Sequence, residues 1–297
     1  MKTSTADLSL SIILPCYNEH NTIKSLCAEL SALHPDAEII VIDDGSTPKI
    51  ENINDVKIIR HPYNLGNGAS VKTGARAASG EVLVFMDSDG QHLPTDINRL
   101  LEKILEGYDM VVGSRSTSTQ ASISRLLANT GFNKLASLMT GYQIEDLTSG
   151  FRAVRARAFR NFLYLFPNRF SYPTTSTIAF FRNGYSVTYV PIDAKRRNAD
   201  THSNISIIKD GVRFLVIIMK IGALFSPMRL FLPISAVLFL VATFYYGYTY
   251  MTAGRFTNMS ALIYISSLII FLIGILSEQI SSLHYRNSEE RRRHTDT

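Results

Sequence analysis

Residues 9–44, SLSIILPCYNEHNTIKSLCAELSALHPDAEIIVIDD, contain two apolar runs with a helical pattern between them. The runs Ser9–Leu14 and Glu38–Ile42 have the length and composition of buried strands. Between them, apolar residues recur at helical spacing, and Asn18 or Asn21 is placed to cap the helix. This order predicts two parallel strands joined by a crossover helix.

The same alternation continues along the chain. It predicts further strands at Val56–Arg60 and Glu81–Met86, and helices at Gly68–Ala78 and Thr95–Glu106. Strands that alternate with helices form a mostly parallel, doubly wound sheet, so the predicted fold class is α/β. In such a sheet the ligand crevice lies at the carboxyl ends of the strands. The polar motifs of this chain follow those strand ends.

Apolar residues are unevenly distributed over the 297 residues. Up to residue 204 the composition is that of a soluble domain, whereas Ile, Leu, Phe and Val dominate most of the remainder. We predict a globular α/β domain at 1–204, an interfacial amphipathic helix at 205–227, a two-helix transmembrane anchor at 228–285 and a basic tail at 286–297.

Two uncharged stretches, Leu230–Tyr250 and Met259–Leu276, are long enough to cross a bilayer, which takes about 20 apolar residues in a helix. Buried core helices are the alternative. Transmembrane helices are favoured because no charge interrupts either stretch. In addition, tyrosines, which are typical of the membrane interface, cluster at the end of the first stretch.

Basic residues flank the two stretches, whereas the connection between them contains only Arg255. By the positive-inside rule, both termini and the N-terminal domain are predicted to be cytosolic. No apolar run precedes Leu8, so no signal peptide is predicted. Cys16 and Cys27 lack metal-ligand spacing and are predicted to be buried thiols in a reducing compartment.

The net charge of +5 is concentrated beside the predicted spans. It therefore indicates a membrane with anionic headgroups, and no nucleic acid, as the partner. Residues 205–225 form a helix candidate that is too charged to span, because it carries Lys209, Asp210, Arg213 and Lys220. We predict that it lies in the headgroup plane, with an ordinary amphipathic core helix as the alternative.

Two polar loops follow the first two predicted strands. They are Pro15–Glu19, PCYNE, and Asp43–Ser46, DDGS. An aspartate at a strand end can accept hydrogen bonds from a nucleobase imide or a ribose, and Tyr17 can contact the base. The alternative for Asp43–Ser46 is a plain turn, since Asp and Gly are common turn residues.

A third motif, Asp87–Gln91 or DSDGQ, places two carboxylates directly after an apolar strand. Strand periodicity would turn Asp87 and Asp89 to the same side. Mg²⁺ and Mn²⁺ prefer such oxygen ligands and leave coordination positions for substrate phosphates, so the motif predicts a nucleotide-diphosphate site. A solvated acidic turn is the weaker alternative.

Other nucleotide-binding and hydrolytic motifs are excluded. The glycines Gly66, Gly68 and Gly74 do not follow a strand directly, which disfavours a dinucleotide fingerprint. The chain has no Gly-Lys-Ser/Thr phosphate loop and no Gly-x-Ser-x-Gly elbow.

Together these motifs resemble the family 2 glycosyltransferases of GT-A fold. The resemblance is specifically to the dolichyl-phosphate mannose synthase and polyprenyl-phosphate glucosyltransferase branch, and it extends over nearly the whole chain. It rests on the order and spacing of Pro15–Glu19, Asp43–Ser46, Asn64–Gly66 with Gly74, Asp87–Gln91, Gly113–Arg115 and Asp146–Arg152.

The resemblance implies a metal-dependent enzyme that moves one sugar, with inversion, from a UDP- or GDP-sugar to dolichyl or undecaprenyl phosphate. It assigns Mg²⁺ or Mn²⁺ to Asp87, Asp89 and Gln91, with Asp89 counted as catalytic. Asp44 would hold the nucleoside. The predicted nucleotide-binding residues are Pro15, Tyr17, Asn18, Glu19, Asp44 and Asp87.

A lipid phosphate is already anionic at pH 7, so the acceptor calls for basic residues more than for a general base. Arg115 and Arg125 are predicted to be catalytic and to bind the acceptor phosphate, together with Arg197 and Ser203. Arg152 and Lys195–Arg197 are further phosphate candidates.

Two departures from the family pattern leave the sugar open. Asn204 stands where relatives carry a cation, and Thr174–Thr177 are hydroxyl residues where many relatives carry acids. The alternatives are another membrane-bound family 2 enzyme or, less favoured, a noncatalytic nucleotide-sugar-binding scaffold. Processive synthases usually need a Gln-x-x-Arg-Trp element, and this chain has no tryptophan. Whether the chain forms a homo-oligomer is open.

Overall fold

A computed structural model describes residues 8–115, 123–169, 171–192 and 226–295, with 216, 219–220 and 222–223 between the last two ranges. At 123–129 and 283–295 only the backbone is described. The chain divides into two compact units. The first comprises Met1–Ala136 and Tyr142–Phe214, and the second comprises Ser137–Gly141 and Leu215–Thr297.

The first unit is built from alternating strands and helices. Its strands, within the described residues, are β1 Leu10–Cys16, β2 Glu38–Asp43, β3 Val56–Arg60, β4 Val82–Phe85, β5 Met110–Arg115, β6 Arg152–Arg155 and β7 Val187–Ile192. The helices are α1 His20–Leu33, α2 Asn67–Ala77, α3 Asp96–Leu105, α4 Ile123–Thr140, α5 Ala156–Arg160 and α6 Tyr172–Arg182, with a 3₁₀ turn at Leu163–Leu165. The last turn of α4, from Ser137, is assigned to the second unit.

The described strands form one sheet in the order β3-β2-β1-β4-β6-β5-β7. The pairs β3–β2, β2–β1, β1–β4 and β5–β7 are parallel, whereas β6 runs antiparallel to both of its neighbours. The predicted α/β class with a mostly parallel, doubly wound sheet is therefore confirmed. The pattern did not predict β5, β6 or β7, and in β6 arginines at both ends leave only two apolar residues between them.

The central strands are apolar on both faces. Ile12, Ile13, Leu14 and Ile40 are fully buried, and burial of each such side chain contributes roughly 1.5–3 kcal/mol. The register pairs Cys16 with Asp43 and Ile13 with Phe85, so β1, β2 and β4 end at the same edge of the sheet. The core thus fixes the strand ends from which the polar loops emerge.

Two local expectations at and after the end of β1 were wrong. β1 continues through Pro15 and Cys16, because its parallel pairing with β2 extends two residues beyond the apolar run. Neither Asn18 nor Asn21 caps α1, since the Asn18 Oδ1 atom accepts the Thr47 N–H instead.

The second unit contains two long apolar helices among its described residues, α7 Pro227–Ala253 and α8 Asn258–Thr295. Candidate spans are Pro227–Ala253 and Asn258–Ser282, with mean hydropathies of 1.9 and 2.5. Only 11% and 17% of their most apolar windows are buried, which disfavours core helices of a soluble protein. Both predicted spans fall inside these helices. Most of the predicted interfacial helix at 205–227 lies outside the described residues.

Polar contacts join the two helices of this hairpin. The Ser235 and Ser267 hydroxyls each donate to the other residue's carbonyl oxygen at 2.9 Å. The Glu278 carboxylate accepts the Met228 N–H at 3.2 Å and so satisfies a donor in the first turn of α7. In a bilayer such reciprocal bonds hold helices together, because lipid offers no alternative partners.

Candidate active site

A cleft of about 470 Å³ opens at the carboxyl ends of β1, β2 and β4. The polar loops that follow these three strands form its walls, as expected for a parallel sheet. Its lining includes seven of the residues predicted from the sequence, namely Pro15, Tyr17, Glu19, Asp44, Asp87, Asp89 and Gln91. It also includes Asn64, which the sequence analysis named as part of a motif without a role, and Asn67 and Ser70, which the sequence reasoning missed.

The Pro15–Glu19 segment forms one wall. Tyr17 is 48% exposed at the cleft and offers a ring face to a planar ligand. Asn18 is not among the lining residues. Its backbone has a left-handed φ of 61°, its N–H donates to the Ser46 Oγ atom, and its side chain accepts the Thr47 N–H. Asn18 therefore ties the two loops together and shapes the cleft without lining it.

The two adjacent aspartates after β2 have different surroundings. Asp43 is buried and accepts hydrogen bonds from the Ser46 and Ile50 N–H groups and from Arg60 Nη1 at 2.6 Å. It is a turn residue that stabilises the loop. Only Asp44 lines the cleft, so the plain-turn alternative applies to Asp43, and Asp44 stays the candidate for binding a nucleoside.

The Asp44 carboxylate is already well bonded. Its Oδ1 atom accepts the Leu65 N–H at 2.9 Å and lies 2.7 Å from His61 Nδ1, and its Oδ2 atom accepts the Gly66 N–H at 2.8 Å. These contacts hold the 61–66 segment against the end of β2. An ionised carboxylate accepts about four hydrogen bonds, so a position remains for a nucleoside.

Asp87 and Asp89 lie in a turn beyond the end of β4 at Phe85, so strand alternation does not orient them as expected. Instead, the Ser88 carbonyl accepts the Thr22 hydroxyl at 2.7 Å, and the Ser88 hydroxyl donates to the Pro15 carbonyl. Gly90 provides a left-handed φ of 73°. Both carboxylates nevertheless line the same cleft.

These carboxylates fit a divalent cation that is shared with a substrate. No group of three or more metal-ligating side chains occurs among the described residues, so a closed protein cage is not formed there. Mg²⁺ typically binds one or two carboxylates plus phosphate oxygens. A Cβ atom at Gly150 would lie 3.1 Å from the Asp87 Oδ2 atom, so glycine leaves this carboxylate room. Asp87 and Asp89 would hold the cation, with Gln91 beside them.

His92 directly follows the Asp87–Gln91 motif and packs near Asp87. Its ring stacks on Phe151 at 5.0 Å, and its Nε2 atom lies 4.0 Å from the Asp87 Oδ2 atom. Burial lowers the pKa of His92, and this outweighs the Asp87 and Asp89 carboxylates, which raise it. The His92 imidazole beside Asp87 is therefore neutral at pH 7.

Arg115 ends β5, and one edge of its guanidinium makes a bidentate contact with Asp146. The Nε and Nη2 atoms donate to the two Asp146 oxygens at 2.9 and 3.1 Å, and Nη2 also donates to the Thr148 hydroxyl at 2.7 Å. Burial alone would raise the pKa of Asp146, but the Arg115 contacts outweigh it and hold that pKa low. The Arg115 side chain is 31% exposed, but Arg115 is not among the lining residues of the cleft.

The Asp146 loop is fixed by helix α4. The Asn133 amide donates to the Glu145 carbonyl at 2.6 Å and accepts the Leu147 N–H at 3.1 Å. The first turn of the same helix carries Arg125, whose side chain lies outside the described residues. The other two predicted acceptor ligands, Arg197 and Ser203, also lie outside them.

Arg152 was wrong as a phosphate candidate, because its side chain is fully buried. It donates to the Ser149 and Pro173 carbonyls and to the Ser176 and Thr177 hydroxyls. Its sequence environment could not show this, since three of the four partners come from α6, more than twenty positions away. Arg152 therefore anchors α6 to the sheet.

A smaller cavity of about 220 Å³ shares Asn67 and Asp87 with the cleft. Thr148, Gly150 and the segment that begins α6 form its other walls. This cavity was missed in the sequence, since no local pattern joins its walls. It places a second cavity directly beside Asp87, the first carboxylate of the Asp87–Gln91 motif.

Comparison with known proteins agrees with this geometry. Residues 11–163 match the family described as glycosyl transferase family 2, and residues 226–283 match the GtrB C-terminal hairpin. The polyprenol monophosphomannose synthase of Mycolicibacterium smegmatis is 28% identical over 63% of this chain and 77% of its own length. The UDP-N-acetylglucosamine–dolichyl-phosphate N-acetylglucosaminyltransferase of Methanococcus voltae is 30% identical over 52% of this chain and 72% of its own length.

A solved structure shares the fold. Glucosyl-3-phosphoglycerate synthase from Mycobacterium tuberculosis, crystallised with Mn²⁺, UDP and phosphoglyceric acid, superposes with a TM-score of 0.58 at 21% identity. The match covers 72% of this chain and 79% of that one. The predicted GT-A fold is thereby confirmed, and the apolar helices with the hairpin match support a membrane protein. With a family match over more than half of its length, the chain belongs to glycosyl transferase family 2.

Proposed function

We propose that this chain transfers a single sugar, with inversion, from a UDP- or GDP-sugar to a polyprenyl monophosphate at the cytosolic membrane face. The observation that carries the proposal is the cleft that presents both Asp87 and Asp89, in a chain that also carries an apolar hairpin. A noncatalytic scaffold would not need both carboxylates at the cleft. The relatives' names, which include polyprenol and dolichyl phosphate acceptors, support this acceptor class.

The donor would lie along the cleft with its base toward Tyr17 and Asp44 and its diphosphate toward Asp87 and Asp89. When bound, Mg²⁺ or Mn²⁺ would stabilise negative charge on the leaving diphosphate. The Mn²⁺ in the structural neighbour supports a divalent cation. Asp44 keeps the 61–66 segment in place while it contacts the nucleoside.

The enzyme would need to supply positive charge and to position the acceptor phosphate, rather than to deprotonate it. A phosphate monoester is anionic at pH 7, so its oxygen can attack the anomeric carbon directly while the bond from that carbon to the diphosphate breaks. Arg115 would orient this phosphate with the N–H groups that Asp146 leaves free, and Asp146 keeps the guanidinium in place. An α-linked donor then yields a β-linked lipid phosphate sugar and a nucleoside diphosphate.

The test is transfer by the full chain in detergent, with polyprenyl phosphate, Mg²⁺ or Mn²⁺ and a panel of radiolabelled UDP- and GDP-sugars. We expect one donor to label the lipid fraction, and the product to contain a single phosphate with a β linkage. Polyprenol without phosphate is the matched control and should remain unlabelled. A pyrophosphate product or an α linkage would contradict the mechanism, and labelling only of a non-lipid acceptor would contradict the function.

The proposed topology places both termini in the cytosol and the turn after α7 outside. We expect a cysteine introduced as Ala253→Cys to react with an impermeant maleimide on intact cells, whereas Ser288→Cys reacts only after permeabilisation. The native thiols give little background, because both are buried and burial raises the pKa of Cys27 to about 11. Labelling of Ser288→Cys on intact cells would reverse the topology.

A further inference from the structure

The smaller cavity beside Asp87 contains a polar atom that lacks a partner. The Ser171 side chain lines this cavity, the residue is only 6% exposed, and its Oγ atom has no hydrogen-bond partner within the described residues. A buried hydroxyl without a partner costs about 1–3 kcal/mol. An oxygen atom of a ligand in the cavity would satisfy it.

The backbone conformation of Ser171 also indicates a functional site at the smaller cavity. Ser171 has a left-handed φ of 77° directly before α6, a conformation that non-glycine residues rarely adopt. Such strain concentrates at functional sites, where the surrounding structure maintains it. Here the Ser171 carbonyl accepts the Thr175 N–H and hydroxyl, which keeps the residue in this conformation.

Arg169 supplies a cation to the same cavity. Arg169 is among the lining residues, and no ion pair or side-chain hydrogen bond of Arg169 occurs in the part of the chain that the structure describes. The backbone is anchored, because the Arg169 carbonyl accepts the Gly68 N–H. Arg169 is exposed and has no ion-pair partner among those residues, so its guanidinium is available to a ligand in the cavity.

The lining of the cavity contains many donors and few anionic acceptors. Asp87 is its only carboxylate among the described residues, and the metal-binding motif already uses it. The Tyr172 hydroxyl donates to the Gly150 carbonyl, which leaves the Asn67 amide, Arg169 and Ser171 as donors for a ligand. Guanidinium and hydroxyl groups pair best with carbonyl or carboxylate oxygens. A plain hexose offers mainly hydroxyl groups, which such a lining matches less well.

We infer that Arg169 and Ser171 determine donor specificity by binding an acyl or carboxyl substituent on the transferred sugar. This inference rests on the proposed function, because it places the donor sugar beside the diphosphate. The preferred substrate would be a nucleotide-linked N-acylamino sugar or uronic acid. N-acyl and carboxylate groups both provide oxygen atoms that can accept hydrogen bonds from Arg169 and Ser171.

The test compares donors that differ only in the substituent. The full chain is assayed with UDP-glucose, UDP-N-acetylglucosamine and UDP-glucuronate, and with GDP-mannose and GDP-mannuronate as the guanine pair. Donor binding with Mn²⁺ is measured without lipid, and kcat/KM is measured with polyprenyl phosphate. We expect a substituted donor to be preferred by about tenfold or more, since the site groups stay unpaired with a plain hexose.

The variants Arg169→Ala and Ser171→Gly should each reduce this preference about tenfold or more. Glycine tolerates the left-handed φ, so Ser171→Gly removes the hydroxyl without straining the backbone. Arg157→Ala is the matched control, because Arg157 is exposed on α5 and lines neither cavity. Arg169→Lys should restore part of the preference, since it restores the charge.

Three results would overturn the inference. They are a wild-type preference for the unsubstituted sugars, an equal loss for all donors in Arg169→Ala, and a raised KM for polyprenyl phosphate with unchanged donor selectivity. The last result would assign the cavity to the acceptor. Failure of lipid transfer with every donor would count against the proposed function. The donor-binding measurement needs no lipid, so it would still test the role of Arg169 in that case.

Discussion

Replacing Asp89 by Asn is expected to lower kcat by on the order of 10² or more, because charge stabilisation by the metal is worth several kcal/mol. Asparagine has the same shape, and its oxygen can still accept the Gln91 N–H that now binds Asp89 at 3.1 Å. The turn should therefore persist while the carboxylate charge is lost. The measurement is initial rate against Mn²⁺ and Mg²⁺ concentration, together with a thermal melt to verify folding.

Chelation tests the same site without mutation. Excess EDTA should abolish transfer, and Mg²⁺ or Mn²⁺ should restore it. Glu106→Gln serves as the control for loss of one carboxylate, because Glu106 is exposed, pairs with Lys103 and lies outside the cleft. Full activity in excess EDTA would show that Asp87 and Asp89 act without a divalent cation.

Removing Arg115 is expected to lower kcat/KM for polyprenyl phosphate about ten- to a hundredfold. One lost charge-assisted phosphate contact costs roughly 1.5–3 kcal/mol. Donor binding measured without lipid should change much less. The single variant Arg115→Ala would leave the buried Asp146 carboxylate without its partner, which typically destabilises a protein by about 3–5 kcal/mol.

The double variant Arg115→Ala with Asp146→Asn removes this ambiguity, since neither charge remains. It should melt closer to the wild type than Arg115→Ala does, yet show the same loss in acceptor kcat/KM. Asp146→Asn alone keeps the guanidinium but loosens its orientation, so its loss should be smaller. Donor binding that weakens as strongly as acceptor use would move Arg115 to the diphosphate instead.

The sequence alone determined the layered fold and the position of the main cleft. β1, β2 and β4 are buried on both faces, and such strands appear as continuous apolar runs whose ends can be located within one or two residues. Parallel strands end at a common edge, so the loops after them had to meet. That reasoning placed Asp44, Asp87 and Asp89 together without knowledge of any contact.

Side-chain partnerships were decided by the tertiary structure alone. Arg115 meets Asp146 across 31 positions, and Arg152 finds its hydroxyl partners in α6. Whether an arginine is free for phosphate or already paired depends on which loops the sheet topology brings together. The spacing of residues along the sequence does not show which loops meet.

The smaller cavity shows the same limit. Its walls come from α2, the turn after β4, the 148–150 loop and the start of α6, so no window of sequence contains it. Periodicity reports which face of an element is buried, because that follows from the 3.6- or two-residue repeat. The packing of distant elements determines which polar atom is left without a partner, and this is why Ser171 and Arg169 became visible only in the folded chain.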